Sequence, residues 1–302
     1  MRLNGRRTSN NVFDRRGSSA GGGGGFHFGG GGGRGFKLGG GGFIGLLIAG
    51  VIYLLAGGDP RDLLDGNGYQ NYSVVNADGS YTPTAHEEEL ATFASQILAG
   101  TEDVWSKKFQ EMGRTYVPPK MVLFTGAVNS ACGGATSSVG PFYCSADQTI
   151  YIDLSFFDQM EREMHAGGDF AFAYVIAHEV GHHVQYLLGT LDKAHSEMAR
   201  VSKSEANKIS VRTELQADFY AGVWAHGDNE MFGSLEDGDI EEGLNAASKI
   251  GDDYLQKQAY GYTQPETFNH GRSDQRVKWL KLGASTGNVS YGDTFTPSYN
   301  SL

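Results

Sequence analysis

The stretch AYVIAHEVGHHVQYLLG, residues 173–189, places three histidines and one glutamate in a segment that is otherwise mostly apolar. When this stretch is placed on a helix, apolar side chains occur on every face, a pattern that is typical of a buried helix. Asp169 upstream and Gly189 at the end are suitable as its N-cap and C-cap. Because a buried imidazole or carboxylate costs free energy unless it is paired or coordinated, these polar groups need partners.

The polar residues form the pattern H-E-x-x-H at His178, Glu179 and His182. Side chains four positions apart share one face of a helix, so both imidazoles can bind one metal ion. Glu179 is turned aside by about 100° and can act as a base toward a water on that ion. His183 points away from the two ligands and is given no chemical role. The pattern predicts a catalytic zinc site on this helix.

A catalytic zinc ion takes three protein ligands and leaves a fourth position open. The extended pattern with a third histidine is absent, because Gln185 and Leu188 stand where its glycine and histidine would be. Downstream, SVRTELQADFYAGVWAHG, residues 210–227, offers Glu214 and Asp218 on one face of another helix. We expect Glu214 to complete the ligand set and Asp218 to accept the free N–H of a ligating histidine.

These motifs resemble those of the gluzincin zinc peptidases, in which a glutamate ligand follows H-E-x-x-H. The longer strings are more closely similar to the family described as "putative neutral zinc metallopeptidase", found among bacterial membrane proteins. They are CGGATSSVGPFYCSADQTIYIDLSFF, HEVGHHVQ, ELQADFYAGVWA and FNHGRSDQRVKWLKLG, and the similarity covers residues 1 to about 283. The resemblance implies one catalytic Zn²⁺ ion and hydrolysis of a protein or peptide substrate.

Metal-assisted amide hydrolysis would use Glu179 to take the water proton and pass it to the leaving amine. By analogy with gluzincin sites, His270 is the candidate donor to the tetrahedral oxyanion. The alternative for His270 is capping of a predicted helix at 272–282. The strand QTIYIDLSFF, residues 148–157, either presents an edge to an extended substrate or is an ordinary core strand.

The chain has two cysteines, Cys132 and Cys144. Three states are compatible with the sequence: two free buried thiols, a metal-binding pair or a disulfide. The C-x11-C spacing is poor for a zinc site. A disulfide is expected if the domain lies outside the cytoplasm.

The N-terminal part of the chain differs in composition from the rest. Residues 1–58 hold 21 of the 45 glycines, and residues 1–42 carry a net charge of +6 against −17 for the remainder. The acidic body argues against nucleic acid as a partner. The basic, glycine-rich composition of residues 1–42 predicts a disordered arm that suits an anionic membrane surface.

The segment FIGLLIAGVIYLLAGG, residues 43–58, predicts a transmembrane anchor. With Gly39–Gly42 included, the uncharged run reaches 20 residues, about the length that spans a bilayer. The alternatives are a buried core helix and a signal peptide, which would need an unusually long preceding region. Positive charges upstream place the N-terminus in the cytoplasm and the following domain in the periplasm or another extracytoplasmic space.

Helical patterns dominate after residue 155, and short strand-like runs precede them, so we expect a mainly helical α+β domain with a small sheet. The leading hypothesis is a membrane-anchored zinc metallopeptidase. A non-catalytic zinc-containing module that binds peptides or assembles partners at the membrane is the alternative, and a metal-free helical domain is a third. The predicted organisation is an arm at 1–42, an anchor at 43–58, a linker at 59–84, a peptidase domain at 85–285 and a flexible tail at 286–302.

Overall fold

The computed structural model describes residues 1–18 and 81–302. These residues form a mainly helical α+β fold with a small sheet, as the sequence predicted. The helices are α1 (Ala85–Glu111), α2 (Ser155–Arg162), α3 (Asp169–Leu188), α4 (Thr190–Met198), α5 (Lys203–Phe232), α6 (Asp239–Lys249), α7 (Asp252–Tyr260) and α8 (Ser273–Thr286). The strands are β1 (Val12–Asp14), β2 (Lys120–Phe124), β3 (Ala127–Ser130), β4 (Gly133–Thr136), β5 (Phe142–Cys144) and β6 (Thr149–Asp153).

Four strands form one sheet in the order β1-β2-β6-β5, and β3 pairs with β4 in a separate hairpin. β2 runs parallel to both of its neighbours, whereas β5 runs antiparallel to β6. Since β6 has a partner on each side, the suggestion that residues 148–157 present a free edge is wrong. Among the described residues, the edge on that side of the sheet is β5.

Several helix boundaries follow directly from local capping. α1 begins after Thr84, whose Oγ1 accepts from the Glu87 N–H at 3.2 Å while the Glu87 carboxylate accepts from the Thr84 N–H at 2.7 Å. Ser202 caps the start of α5, so α4 and α5 are separate helices. Gly251 is the N-cap of α7 and separates it from α6.

Glycines let the three central helices approach one another closely. A Cβ added to Gly181 of α3 would lie 2.9 Å from the Ala217 carbonyl oxygen of α5. A Cβ added to Gly283 of α8 would lie 2.0 Å from the Phe219 carbonyl oxygen. The glycine inside the H-E-x-x-H pattern therefore allows α5 to pack directly against the predicted metal-binding helix.

The first 18 residues are part of the folded body, so the prediction of a disordered arm is wrong for this portion. β1 pairs in parallel with β2, placing Val12 opposite Met121. Residues 19–42, the predicted anchor at 43–58 and most of the predicted linker lie outside the described residues. Within the described ranges, no helix is both long enough and apolar enough to cross a membrane.

The C-terminal residues 286–302, predicted to be a flexible tail, instead pack against α5. Thr294 is fully buried, and Gln216 Nε2 donates to the Gly292 carbonyl oxygen at 2.7 Å. Arg212 also donates to the carbonyl oxygens of Thr294 and Pro297. The segment is held in place because its carbonyl oxygens accept hydrogen bonds from side chains of α5. Its polar composition did not predict this packing.

Replacing Arg6 with alanine is expected to destabilise the protein by about 2–3 kcal/mol. Its guanidinium donates to both carboxylate oxygens of Asp228, at 2.8 and 3.2 Å, and Asp228 is only 1% exposed. The loss leaves a buried charge without its cation. Arg2→Ala is the matched control, because Arg2 and its partner Glu236 are 66% and 49% exposed. Equal shifts in denaturant unfolding for the two variants would contradict this assignment.

Candidate metal centre

Two helices bring the predicted ligands together. α3 supplies His178 and His182, and α5 supplies Glu214. One potential ligand atom from each side chain lies within 4.8 Å of the others. Glu214 Oε2 is 3.1 Å from His178 Nε2, and Oε1 is 3.5 Å from His182 Nε2. Both imidazoles therefore face the same point with Nε2.

The opposite nitrogen of each histidine is held by a hydrogen bond. His178 Nδ1 donates to Asp218 Oδ1 at 2.8 Å, which is the contact that the sequence predicted. His182 Nδ1 donates to Gln185 Oε1 at 2.9 Å, a contact that the sequence did not predict. These bonds orient both rings so that Nε2 of each histidine faces the candidate metal position.

Gln185 is itself fixed in orientation. It is fully buried, and its Nε2 donates to the Thr213 carbonyl oxygen at 2.7 Å and to Gln216 Oε1 at 3.1 Å. With the amide nitrogen engaged on α5, Oε1 must point toward His182. The signal in the sequence was a glutamine three positions after a predicted ligand, inside an apolar helix.

Arg276 of α8 is the main component of the site that sequence reasoning missed. Its Nε and Nη2 donate to the two oxygens of Asp218 at 2.8 and 2.9 Å. Tyr174 also donates to Asp218 Oδ1, at 2.6 Å. The side chains of Arg276 and Asp218 are 3% and 0% exposed. This buried pair positions the carboxylate that orients His178.

The charged groups of the site shift one another's pKa values strongly. Burial alone would lower the pKa of His178, but the Asp218 carboxylate and the Glu214 hydrogen bond raise it to about 10. Burial would raise the pKa of Asp218, yet Arg276 and His178 hold it at about 2. His182 and His178 likewise keep the pKa of Glu214 well below its usual range despite burial. The ligand carboxylate is thus ionised, as metal binding requires.

Glu179 lies in the same cleft as the three ligands. Its side chain is buried, and burial raises its pKa against the opposing charges of His178 and His182. A carboxylate whose pKa is raised toward neutrality is suited to accept and return a proton.

His270 also lines this cleft. Its Nδ1 donates to Asp252 Oδ1 at 3.1 Å, and Asp252 Oδ2 accepts the His270 backbone N–H at 2.7 Å. Burial lowers the pKa of His270, but the Asp252 carboxylate outweighs this effect and raises it. The N-cap of α8 is Arg272, so the capping role considered for His270 belongs to another residue.

The cleft has a volume of about 450 Å³. One wall is formed by residues 140–143, which lead into the edge strand β5, and apolar side chains that include Phe156, Met164 and Leu255 form much of the remainder. Cys132, at the rim, is joined to Cys144 by a disulfide, which confirms the predicted bond.

A second acidic cluster contains Asp169, Asp239 and Glu242. The amino group of Met1 donates to Asp169 and Asp239, so this cluster already neutralises a cation. Asp169 is the first residue of α3 and the N-cap is Gly168, which corrects the predicted cap.

The model of the family described as "putative neutral zinc metallopeptidase" matches residues 1–295. The chain belongs to this family. The uncharacterized protein YpfJ of Escherichia coli K12 is 48% identical over 298 residues, covering 99% of this chain and all of YpfJ. The uncharacterized protein Rv2575 of Mycobacterium tuberculosis is 45% identical over 191 residues, or 60% of this chain and 64% of Rv2575. No solved structure matches the chain.

The donor set fits the metal in the family's name. Two imidazole nitrogens and one carboxylate are a ligand combination that catalytic zinc uses. In this chain His178, His182 and Glu214 supply those atoms, and Asp218 and Gln185 hold the imidazoles from behind.

His183, which had no predicted role, connects α3 to two other parts of the fold. It is fully buried, its Nε2 donates to the Val117 carbonyl oxygen at 2.7 Å, and its Nδ1 accepts from the Tyr143 hydroxyl at 2.9 Å. Since Tyr143 belongs to β5, this bond ties the edge strand beside the cleft to the helix that carries the predicted histidine ligands.

The free energy of unfolding is expected to fall by about 3 kcal/mol because of His183 alone as the pH drops from 6.5 to 4. Burial lowers the pKa of His183 from 6.5 to about 4. Between these pH values the unfolded chain binds a proton at His183, whereas the folded protein does not. Glutamine at position 183 can keep both hydrogen bonds but does not titrate. The free energy of unfolding of His183→Gln should therefore fall by about 3 kcal/mol less than that of the wild type over this pH interval. Parallel pH curves for the two proteins would contradict the assignment.

Proposed function

We propose that the chain is a zinc metallopeptidase that hydrolyses peptide bonds in the cleft beside α3. The observation that carries this proposal is the convergence of His178, His182 and Glu214 on one point next to Glu179. A structural zinc site normally fills all four positions with protein ligands and has no use for a neighbouring base. These three ligands beside a buried glutamate therefore favour catalysis over a non-catalytic zinc module.

A bound zinc ion would act as a Lewis acid toward the attacking water and the substrate carbonyl. Glu179 would remove the proton from that water and return it to the leaving amine. Its raised pKa supports both transfers. Asp218 and Gln185 would keep the histidine tautomers constant through the cycle.

His270 would stabilise the negative charge that develops on the carbonyl oxygen. Asp252 accepts from its Nδ1, which leaves Nε2 to donate in the cleft. The raised pKa of His270 favours the protonated imidazole, the better donor to an oxyanion.

The substrate would bind as an extended strand along β5. This strand is an edge of the sheet, and the residues leading into it line the cleft. Backbone pairing at an edge accepts many sequences, so apolar pockets would set the side-chain preference. The apolar wall around Phe156 and Met164 favours a hydrophobic residue beside the scissile bond.

A comparison of protein fragments in cells tests the proposal. Cells that produce the wild-type protein should contain cleavage products that are missing when His182→Gln replaces it, because the variant loses a metal ligand. The purified wild type should hold one zinc ion per chain by elemental analysis, and the variant substantially less. Identical fragment sets from cells with equal protein levels would refute the peptidase.

We also propose that residues 43–58 attach the protein to a membrane. The support is their sequence, an uncharged apolar run with Gly39–Gly42 before it. The substrates would then be proteins or peptides at or near that membrane.

A further inference from the structure

The N-terminal segment, residues 1–18, contacts along its length the rest of the described chain, residues 81–302, which is called the body here and contains the candidate metal centre. Leu3 and Val12 pack against the core. The Arg2 N–H donates to the Ser234 carbonyl oxygen at 2.8 Å, and the Arg15 N–H donates to that of Leu123 at 2.8 Å. Backbone bonds at both ends and a strand between them make the segment a built-in component of the fold.

Buried acidic residues of the body depend on this segment for their partners. Glu102 of α1 is 7% exposed. It accepts from Arg7 Nη1 at 3.0 Å, Ser9 Oγ at 2.6 Å and Asn11 Nδ2 at 2.8 Å. Asp228 of α5 is paired with Arg6 in the same way. Without the segment, two buried carboxylates would lose these donors at a high cost in free energy.

The undescribed stretch begins and ends at one place on the body. Gly17 lies against Tyr81, because a Cβ added to Gly17 would be 2.1 Å from the Tyr81 Cβ. Arg16 Nη1 donates to the Glu87 carbonyl oxygen at 3.0 Å, just inside α1. A chain that leaves one point and returns to it crosses a bilayer an even number of times. A single crossing by residues 43–58 cannot coexist with these contacts, so the proposed membrane attachment would leave both ends of the stretch on the same side of the bilayer.

We infer that residues 1–18 and residues 81–302 occupy the same compartment, with the basic segment docked on the acidic body. The predicted topology, with the N-terminus in the cytoplasm and the domain outside, would separate Arg6 from Asp228 and Arg7 from Glu102. The disulfide between Cys132 and Cys144 is typical of an oxidising compartment, so we expect the body to lie on the extracytoplasmic side of the membrane. The docked segment would lie there with it. This inference does not depend on the proposed peptidase activity.

Thiol labelling of full-length variants that each carry one added cysteine tests this arrangement. Arg2 and Glu236 are both exposed in the docked state, so Arg2→Cys and Glu236→Cys can each react with a membrane-impermeant maleimide. We expect both to be labelled in intact spheroplasts, and wild type, whose cysteines are bonded, to remain unlabelled. If both variants are labelled only after permeabilisation, residues 1–18 and 81–302 still share one compartment, and that compartment is the cytoplasm. Labelling of one variant and not the other in intact spheroplasts would overturn it.

Cross-linking gives a second, independent test. Arg2 Nε and Glu236 Oε1 are 3.4 Å apart, so a short bis-maleimide should join cysteines at these positions. A protease site inserted between Asn67 and Gly68 allows the chain to be cut after the reaction in cells. The two fragments of Arg2→Cys/Glu236→Cys should then stay joined in a denaturing gel, whereas those of either single variant separate. Separation of the fully modified double variant would overturn the inference.

Discussion

Glu179→Gln is expected to lower the kcat for peptide hydrolysis by about 10³-fold or more while the protein keeps its zinc. The glutamine has almost the same shape but cannot accept the proton of the attacking water. The proposed ligands His178, His182 and Glu214 are unchanged, and Glu179 is not among the three groups that converge on the candidate metal position. Rates with purified protein and elemental analysis of the same samples measure both parts of the expectation.

The matched control is Glu197→Gln, which makes the same chemical change at an exposed position of α4. Its rate should equal that of the wild type. If Glu179→Gln turned over substrate at the wild-type rate with zinc bound, Glu179 would not be the base. If it lost zinc together with activity, the loss of rate would report on metal binding alone.

Arg276→Met is expected to destabilise the protein by about 3–5 kcal/mol. The methionine fills part of the volume but leaves Asp218, which is 0% exposed, without the cation that holds both of its oxygens. Because Asp218 orients His178, zinc affinity should also fall by roughly 10–100-fold. Denaturant unfolding of the metal-free protein and competition with a zinc chelator measure the two effects separately.

Arg272→Met, at the N-cap of the same helix, is the control for the loss of a guanidinium. Arg272 pairs with Asp274, and these side chains are 44% and 71% exposed, so the change should cost less than about 1 kcal/mol. Unchanged zinc affinity in Arg276→Met would mean that Tyr174 alone can position Asp218.

The sequence predicted those parts of the candidate site in which two residues lie on the same helix. Spacing of four residues puts His178 beside His182, and Glu214 beside Asp218, whatever the rest of the fold does. Arg276 could not be predicted, because its contact with Asp218 joins helices that meet only after α8 packs on α5. That packing depends on close approach at Gly283, a tertiary feature with no periodic signal.

The N-terminal segment was predicted wrongly because its composition was averaged over 42 residues. The glycine runs begin at Gly21, whereas residues 1–18 contain only Gly5 and Gly17. Its basic residues suggested a membrane surface, but the acidic body provides the opposite charges within the chain. β1 is three residues long and half exposed, and short strands paired over 100 residues away leave little trace in sequence.

Removal and return of the metal test zinc-dependent hydrolysis most directly. Purified wild-type protein is incubated with a peptide library, and new termini are identified by mass spectrometry before chelation, after chelation and after one equivalent of zinc is restored. We predict cleavage beside hydrophobic residues that disappears with the metal and returns with it. A protein that binds one zinc ion per chain and cleaves no peptide in any of the three states would contradict the account.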